Sequence, residues 1–327
     1  MKQYAYIFLF ILSVQMLQAE EWHFAQANFM FENDVDIEED SDYTQGSQVS
    51  VLMHRHNAAN SRLQIPFTKS FARHSFISFA AGQQMYTPKD IKTDIPVDGA
   101  RSYAGLIYMQ SGLHQSSQHH LDSLSFKLGV VGPASYMEAL QKSFHHLIEA
   151  PEPQGWNNQI GPRLGLQLDY MHKWRYVPSD FLGVESDFIP FADGELGTLS
   201  IKATTGAMWR VGYNIPHDFG ASSIDEYGEN GVPTEEELSY RHKSKWHYYL
   251  NFGAGASFVL YDVFLDAKAH NGEQAVEKYF FKAFGSYGAT LTYDAFELTY
   301  VRTHYTKEYK TQNILNSYGS LLLAYKF

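Results

Sequence analysis

Long stretches in which every second residue is apolar restrict this chain more than any other feature. In "WHYYLNFGAGASFVL", Trp246, Tyr248, Leu250, Phe252, Ala254, Ala256, Phe258 and Leu260 share one face, and His247, Tyr249, Asn251, Gly253, Gly255 and Ser257 share the other. Leu124, Phe126, Leu128 and Val130 alternate with Ser125, Lys127 and Gly129, and Phe296, Leu298 and Tyr300 with Glu297 and Thr299. Period two means strands. A soluble β-sandwich with one wet face would also show it. Two features favour strands that cross a bilayer: segments of about ten residues or more, and aromatic residues gathered towards segment ends. The expected fold is all-β, an antiparallel transmembrane β-barrel.

The N-terminus agrees with that destination. Lys2, the apolar run "YAYIFLFILSVQML" and the small residue Ala19 before "EEW" read as a secretory signal peptide over 1–19. Residues 20–327 then form one barrel domain, since no linker, repeat or composition break divides them. The chain contains no cysteine, which excludes disulfides and thiolate sites. A formal net charge of −11 without a basic stripe argues against non-specific nucleic-acid binding. The last strand ends on Tyr325 and Phe327, an ending that resembles the C-terminal signature of bacterial outer-membrane barrels.

Twelve strands are expected, near 24–33, 46–55, 73–84, 102–114, 121–132, 163–176, 180–190, 197–213, 246–262, 279–293, 295–305 and 314–327. An even number puts both chain ends in the periplasm. The outward connections are then 34–45, 85–101, 133–162, 191–196, 263–278 and a turn at Asp294. The connection 214–245 is long although it falls on the periplasmic side, where turns are usually short.

The outward connections carry the unusual chemistry. The first holds seven carboxylates between Glu32 and Asp42, a density that reads either as a solvated loop or as a cation site. Asp34, directly after the strand, is the candidate ligand, whereas Asp36, Glu38, Glu39, Asp40 and Asp42 read as solvated. The third loses the period of two: from Ser135 to Ala150 the pattern is helical. Ser135 and Glu138 have capping-box spacing, and Pro151 and Pro153 stop the helix. Met137, Leu140, Phe144 and Leu147 or Ile148 form an apolar stripe, and Glu138, Gln141, His145 and Glu149 lie near one polar face.

With these pieces in place the chain resembles the outer-membrane lipid A 3′-O-deacylases of the LpxR type. The resemblance rests on "FENDVD" with "DYTQG", "GQQMYTP", "ARSYAGLIY", "LGVVGPASYMEALQKSFHHLI" and "PQGWNNQI", and runs from about Phe24 to Phe327. It implies a twelve-stranded barrel in the outer membrane and a calcium-dependent hydrolase acting on lipid A. Asn33 and Asp34 then occupy the family's polar pair, Thr44 its following hydroxyl, and Gln141 with His145 its helix pair, His145 in the position of the base. The family's lysine of the second connection has Lys89 and Lys92 as candidates, with Asp98 competing for that place, and "RSYAG" stands where "RPYAG" is commoner.

The implied chemistry suits these residue types. A histidine, ordinarily titrating near ~6.5, can take a proton from water at neutral pH. Calcium takes oxygen ligands, for which Asp34, backbone carbonyls and Glu32 or Glu149 are available. Bound calcium would polarise the ester carbonyl. Asn33 or Thr44 would donate to the oxyanion, and Gln141 would orient the ring or the water. Lys89, Lys92 and Arg101 would meet lipid A phosphates. A passive outer-membrane channel and a phospholipase A1-like barrel enzyme are the alternatives; no G-x-S-x-G elbow supports a serine nucleophile.

Overall fold

The structure, a computed structural model, describes residues 22–34, 42–55, 64–66, 74–95, 99–177, 184–220, 223–226, 228–234, 236–237, 245–269, 276–312 and 315–327. The signal-peptide segment, Asp36 to Asp40 and Asp98 lie outside the described residues. The strands are β1 (His23–Asn33), β2 (Asp42–Arg55), β3 (His74–Thr87), β4 (Ala104–Ser116), β5 (His120–Val131), β6 (Arg163–Trp174), β7 (Glu185–Gly197), β8 (Ser200–Tyr213), β9 (Trp246–Asp262), β10 (Phe281–Tyr293), β11 (Phe296–Tyr305) and β12 (Asn316–Lys326). Each pairs antiparallel with its chain neighbours, and β1 pairs with β12, so the barrel closes. Closure answers a physical demand. An unpaired backbone group in lipid costs several kcal/mol, and a closed barrel has no edge on which to leave one.

The alternation read from the sequence becomes inside and outside. In β9, Leu250, Phe252, Phe258 and Leu260 are exposed outwards, while His247, Tyr249 and Asn251 are buried in the lumen. Near the chain ends, aromatic residues of neighbouring strands meet outside the wall: Trp246 with Tyr293 at 4.6 Å, Phe296 with Tyr325 at 5.0 Å and Tyr213 with Tyr248 at 5.4 Å between centroids. This is the aromatic band of a bilayer interface.

The structure corrects several connections. Tyr293 and Phe296 close a tight hairpin whose Asp294 has φ 56°, and this hairpin joins β10 to β11 at the periplasmic mouth, where Asp294 pairs with Lys245 at 2.6 Å. The sixth outward connection is instead 306–315, between β11 and β12. Residues 191–196 belong to β7, and β7 turns into β8 across Thr198 and Leu199 alone. Asp193 and Glu195 hide this strand from a search for apolar residues, because they face a polar lumen in which Lys202 meets Glu195 at 2.9 Å. The 214–245 connection does not lie beneath the barrel; its described residues enter the lumen.

The helix is also shorter and differently started. A short 3-10 turn, Pro133–Ser135, precedes α1 (Met137–Leu147). Ser135 does not cap it: its hydroxyl donates to the Gly132 carbonyl at 2.7 Å, and Tyr136 begins α1 with φ 61° and no side-chain cap. Glu138 pairs with Lys142 at 3.1 Å in place of a capping box. A second short helix, α2 (Val263–Asp266), sits in the β9–β10 connection and is capped by Asp262, which accepts from the Phe264 N–H at 2.8 Å.

Candidate active site

Following the pleat across four strands locates the site. Asn33 pairs with Gln45, Gln45 with Met85 and Met85 with Gly105. This row lies at the outer mouth, and by parity its side chains leave the lumen on the same side as the exposed Phe29, Val49, Phe79 and Ile107. β2 carries a bulge at Thr44, where its register against β3 slips between Tyr43 and Gln45. The extra residue lets Tyr43 turn into the lumen while the Thr44 carbonyl accepts from the Asn33 amide at 3.1 Å and from the Asp34 N–H at 3.3 Å. The Thr44 and Thr87 hydroxyls meet at 2.7 Å.

α1 rests on this outer face. A Cβ on Gly105 would collide with Met137 and Ser135, so glycine is what admits the start of the helix to the wall. Met137, Gln141 and His145, at i, i+4 and i+8, form the buried stripe. Leu140, Phe144, Leu147 and Ile148, the stripe a soluble helix would bury, are exposed. The helix is inverted because the medium beside a barrel's outer wall is lipid.

His145 is oriented by backbone. Its Nδ1 lies 2.6 Å from the Pro151 carbonyl, which only accepts, so Nδ1 carries the hydrogen and the lone pair of the neutral ring sits on Nε2. The Trp156 indole N–H donates to Gln141 Oε1 at 2.8 Å, which fixes the orientation of that amide. Trp156 is fully buried and packs on Tyr103 with centroids 5.0 Å apart, within a cluster that includes Met85, Ile91 and Met137. Trp156 was available as a signal, since it stands in the "PQGWNNQI" segment, but its chemistry alone gives an indole no role.

The structure separates the other candidates. Asn33, Asp34 and Thr44 come together, as do Gln141 and His145. Lys89 and Lys92 are exposed in the β3–β4 connection, and Lys92 donates its N–H to Asp90 at 3.0 Å. Glu149 is exposed at φ 57° just beyond α1. Three expectations are overturned. Glu32 faces the lumen and is fully engaged there, which removes it from Asp34 and from any shared cation. Arg101 is buried at 3% exposure, paired with Asp42 and Glu308 at 3.5 Å each and stacked on Tyr86, so it cannot meet a lipid phosphate. Asp42 is no solvated loop residue: it also accepts from Tyr309 at 2.9 Å and Gln312 at 2.8 Å.

The residues that seal this rim come from the overlooked 306–315 connection. Burial by itself would raise the Glu308 carboxyl, but Lys282 and Arg101 hold it below the ordinary value. Burial would likewise lower the Arg101 guanidinium, and Asp42 and Glu308 outweigh it, so its value is raised. Among the described residues, no three histidine, aspartate or glutamate side chains converge on one point.

A closed, even-stranded antiparallel barrel with a lipid-facing apolar wall and aromatic band is an integral protein of the bacterial outer membrane. The chain belongs to the LpxR family: the family described as "Outer membrane protein LpxR" matches residues 5–327. Among solved structures, LpxR from Salmonella typhimurium superposes with a TM-score of 0.76 at 19% identity, covering 93% of this chain and 100% of that one, a likeness of fold. The β domain of the Bordetella autotransporter BrkA follows with a TM-score of 0.43 and 7% identity, over 93% of this chain and 98% of its own, and nothing further rests on it. No curated protein matches the chain.

Proposed function

We propose that this protein is a lipid A 3′-O-deacylase that hydrolyses the 3′ acyl ester in the outer leaflet, with His145 as general base. The observation that carries the reading is a buried histidine on the lipid side of the wall with its tautomer set by the Pro151 carbonyl. The dimensions agree. Eight residues separate Met137, seated on Gly105, from His145, which is about 12 Å along the axis at 1.5 Å per residue. Asn33 lies three strand spacings from Gly105, about 14 Å. A helix laid across the strands towards β1 would bring His145 to the Asn33–Asp34–Thr44 end of the row, with Leu140, Phe144, Leu147 and Ile148 among acyl chains.

In this reading Nε2 of His145 takes a proton from water, and the water oxygen attacks the ester carbonyl carbon. The tetrahedral intermediate then expels the sugar oxygen, which recovers the proton, and a carboxylic acid leaves. In the Thr44–Thr87 pair one hydroxyl donates to the other, so one hydrogen remains to meet the oxyanion. The Gln141 amide holds the water or the carbonyl. The oxygen donors of the first strand end fit a hard cation: the buried Asp34 carboxylate, with the Asn33 carbonyl oxygen opposite the NH₂ that Thr44 fixes. Bound calcium would supply Lewis-acid polarisation of the ester.

The alternatives fare less well. A passive channel needs an open lumen, and this one is crossed by a chain segment. A phospholipase A1-like enzyme needs a serine beside a histidine in reach of lipid; the Ser78–His114 contact, at 2.8 Å, is buried in the lumen near the periplasmic mouth. The test is mass spectrometry of lipid A incubated with detergent-purified protein, with calcium and with chelator. Calcium-dependent loss of the 3′ acyloxyacyl unit is expected. Unchanged lipid A in both samples from a folded barrel, or cleavage of glycerophospholipid instead, would overturn the reading.

A further inference from the structure

The β8–β9 connection belongs by topology to the periplasmic mouth, yet its described residues climb through the lumen. At the lower end Phe219 and Val232 pack with Leu52, Phe76 and Leu121, all near the periplasmic ends of their strands. There the Lys173 ammonium donates to the Phe219 carbonyl at 3.1 Å, and Arg210 holds Asp218 at 2.5 Å. Midway, Ser50 donates to Glu229 at 3.1 Å. At the top, Ile224 packs with Met30 and Leu322, Asp225 takes Lys127 at 3.2 Å together with Gln84, and Glu226 accepts from Tyr318 at 2.6 Å.

The summit of this climb is Glu32. Its carboxylate accepts from the Tyr43 hydroxyl at 2.6 Å, the Ser320 hydroxyl at 2.8 Å and the Ile224 N–H at 2.9 Å. One lumenal side chain therefore ties the tip of the segment to β1, β2 and β12. Asn33 follows Glu32, and Thr44 follows Tyr43, so the same ties fix the strand ends whose opposite face carries the candidate site. Between this tip and the Arg101–Asp42–Glu308 rim remains a cavity of about 90 Å³ lined by charged groups of both signs, including Lys127, Lys202 and Asp225. That is room for a few waters.

We propose that the β8–β9 connection is a built-in plug that closes the lumen from the periplasmic side and, through Glu32, positions the Asn33–Asp34 and Thr44 backbone on the outer face. The positioning half rests on the deacylase reading for its purpose; the sealing half does not. Glu32 touches no substrate in this scheme and is a positioning residue.

Full-length protein in planar bilayers tests the seal. The native barrel should pass no steady current, and a variant with residues 216–234 replaced by a short glycine–serine linker should pass large ones. A folded linker variant that stays silent would overturn the seal. Hydrogen exchange at the Asp34 amide, which donates to the Thr44 carbonyl, tests the positioning without reference to activity. Glu32→Ala should speed that exchange by about 10-fold or more and lower kcat for lipid A by about 10-fold with KM little changed. Glu32→Gln, which keeps the shape and two polar ends, should restore both. Unchanged exchange in Glu32→Ala would overturn the positioning. If exchange rises but the native protein releases no acyl chain, the deacylase reading fails and the plug stands.

Discussion

Glu32 and Asn33 are neighbours in β1 and face Gly46 and Gln45 across β2, but they stand on opposite sides of the barrel wall. On the lumenal side, buried carboxylates are each held by several donors: Glu32 by three, Asp42 by Arg101, Tyr309 and Gln312, Asp187 by Arg175 and Arg210. On the outer side, the Pro151 carbonyl sets the His145 tautomer and the Thr44 carbonyl the orientation of the Asn33 amide. Charge inside a barrel has distant strands and a plug to pair with, and so becomes structure. The polar groups on the lipid side are oriented instead by nearby backbone carbonyls.

His145→Ala should break the outer side alone. A general base contributes about 10²–10⁴-fold, so lipid A deacylation should fall by that factor while the barrel stays folded and silent in bilayers. Arg101→Ala should break the inner side alone. It strips Asp42 and Glu308 of a buried cation, which costs about 3–5 kcal/mol in such pairs, read as a lower urea midpoint. A raised KM with unchanged stability would instead restore Arg101 as a phosphate ligand.

Acid should act next, on the plug. Burial alone would raise Asp218, but Arg210, with Lys326 behind it, draws it from 3.8 to about 2. A carboxyl held below its unfolded value adds stability above pH 3.8 and loses it as pH falls from 3.8 to about 2. That contribution is about 2 kcal/mol. Bilayer currents should therefore be absent at neutral pH and at pH 3.8, and appear only as the pH approaches 2. Trp156→Phe keeps the packing and removes the indole donor to Gln141. The loss of about 1 kcal/mol should appear as a fall of several-fold in kcat with no change in conductance. Lys142→Ala, which removes the partly exposed pairs with Glu138 and Glu152, should shift stability by no more than about 0.5 kcal/mol.

Much of the wall is legible in the sequence. Trp246 to Leu260 alternate in sequence and in space, because period two is a local property of an extended chain. Legibility failed where the pattern depends on what fills the lumen. Asp193 and Glu195 look like a loop until Lys202 is placed opposite them. Asn33, Asp34, Gln141 and His145 are readable as candidates from their motifs. The role of Trp156 is not legible locally, since its partner Gln141 is fifteen positions away on a different element.

By itself the sequence determined a twelve-stranded barrel, a helix in the third outer connection and the small set of polar residues at the outer mouth. Alternation, proline stops and helical spacing are short-range, and short-range preferences survive into any fold built from them. Only the tertiary structure decided that Glu32 is engaged in the lumen while its neighbour Asn33 faces the outer side, that Arg101 is a clasp, and that α1 turns its apolar stripe outwards. It also decided that the described residues of a periplasmic connection enter the lumen. Each of these depends on a partner far away in the chain, such as Ile224 for Glu32 or Glu308 for Arg101, or on whether the neighbouring medium is water, lipid or packed protein, which local sequence does not encode.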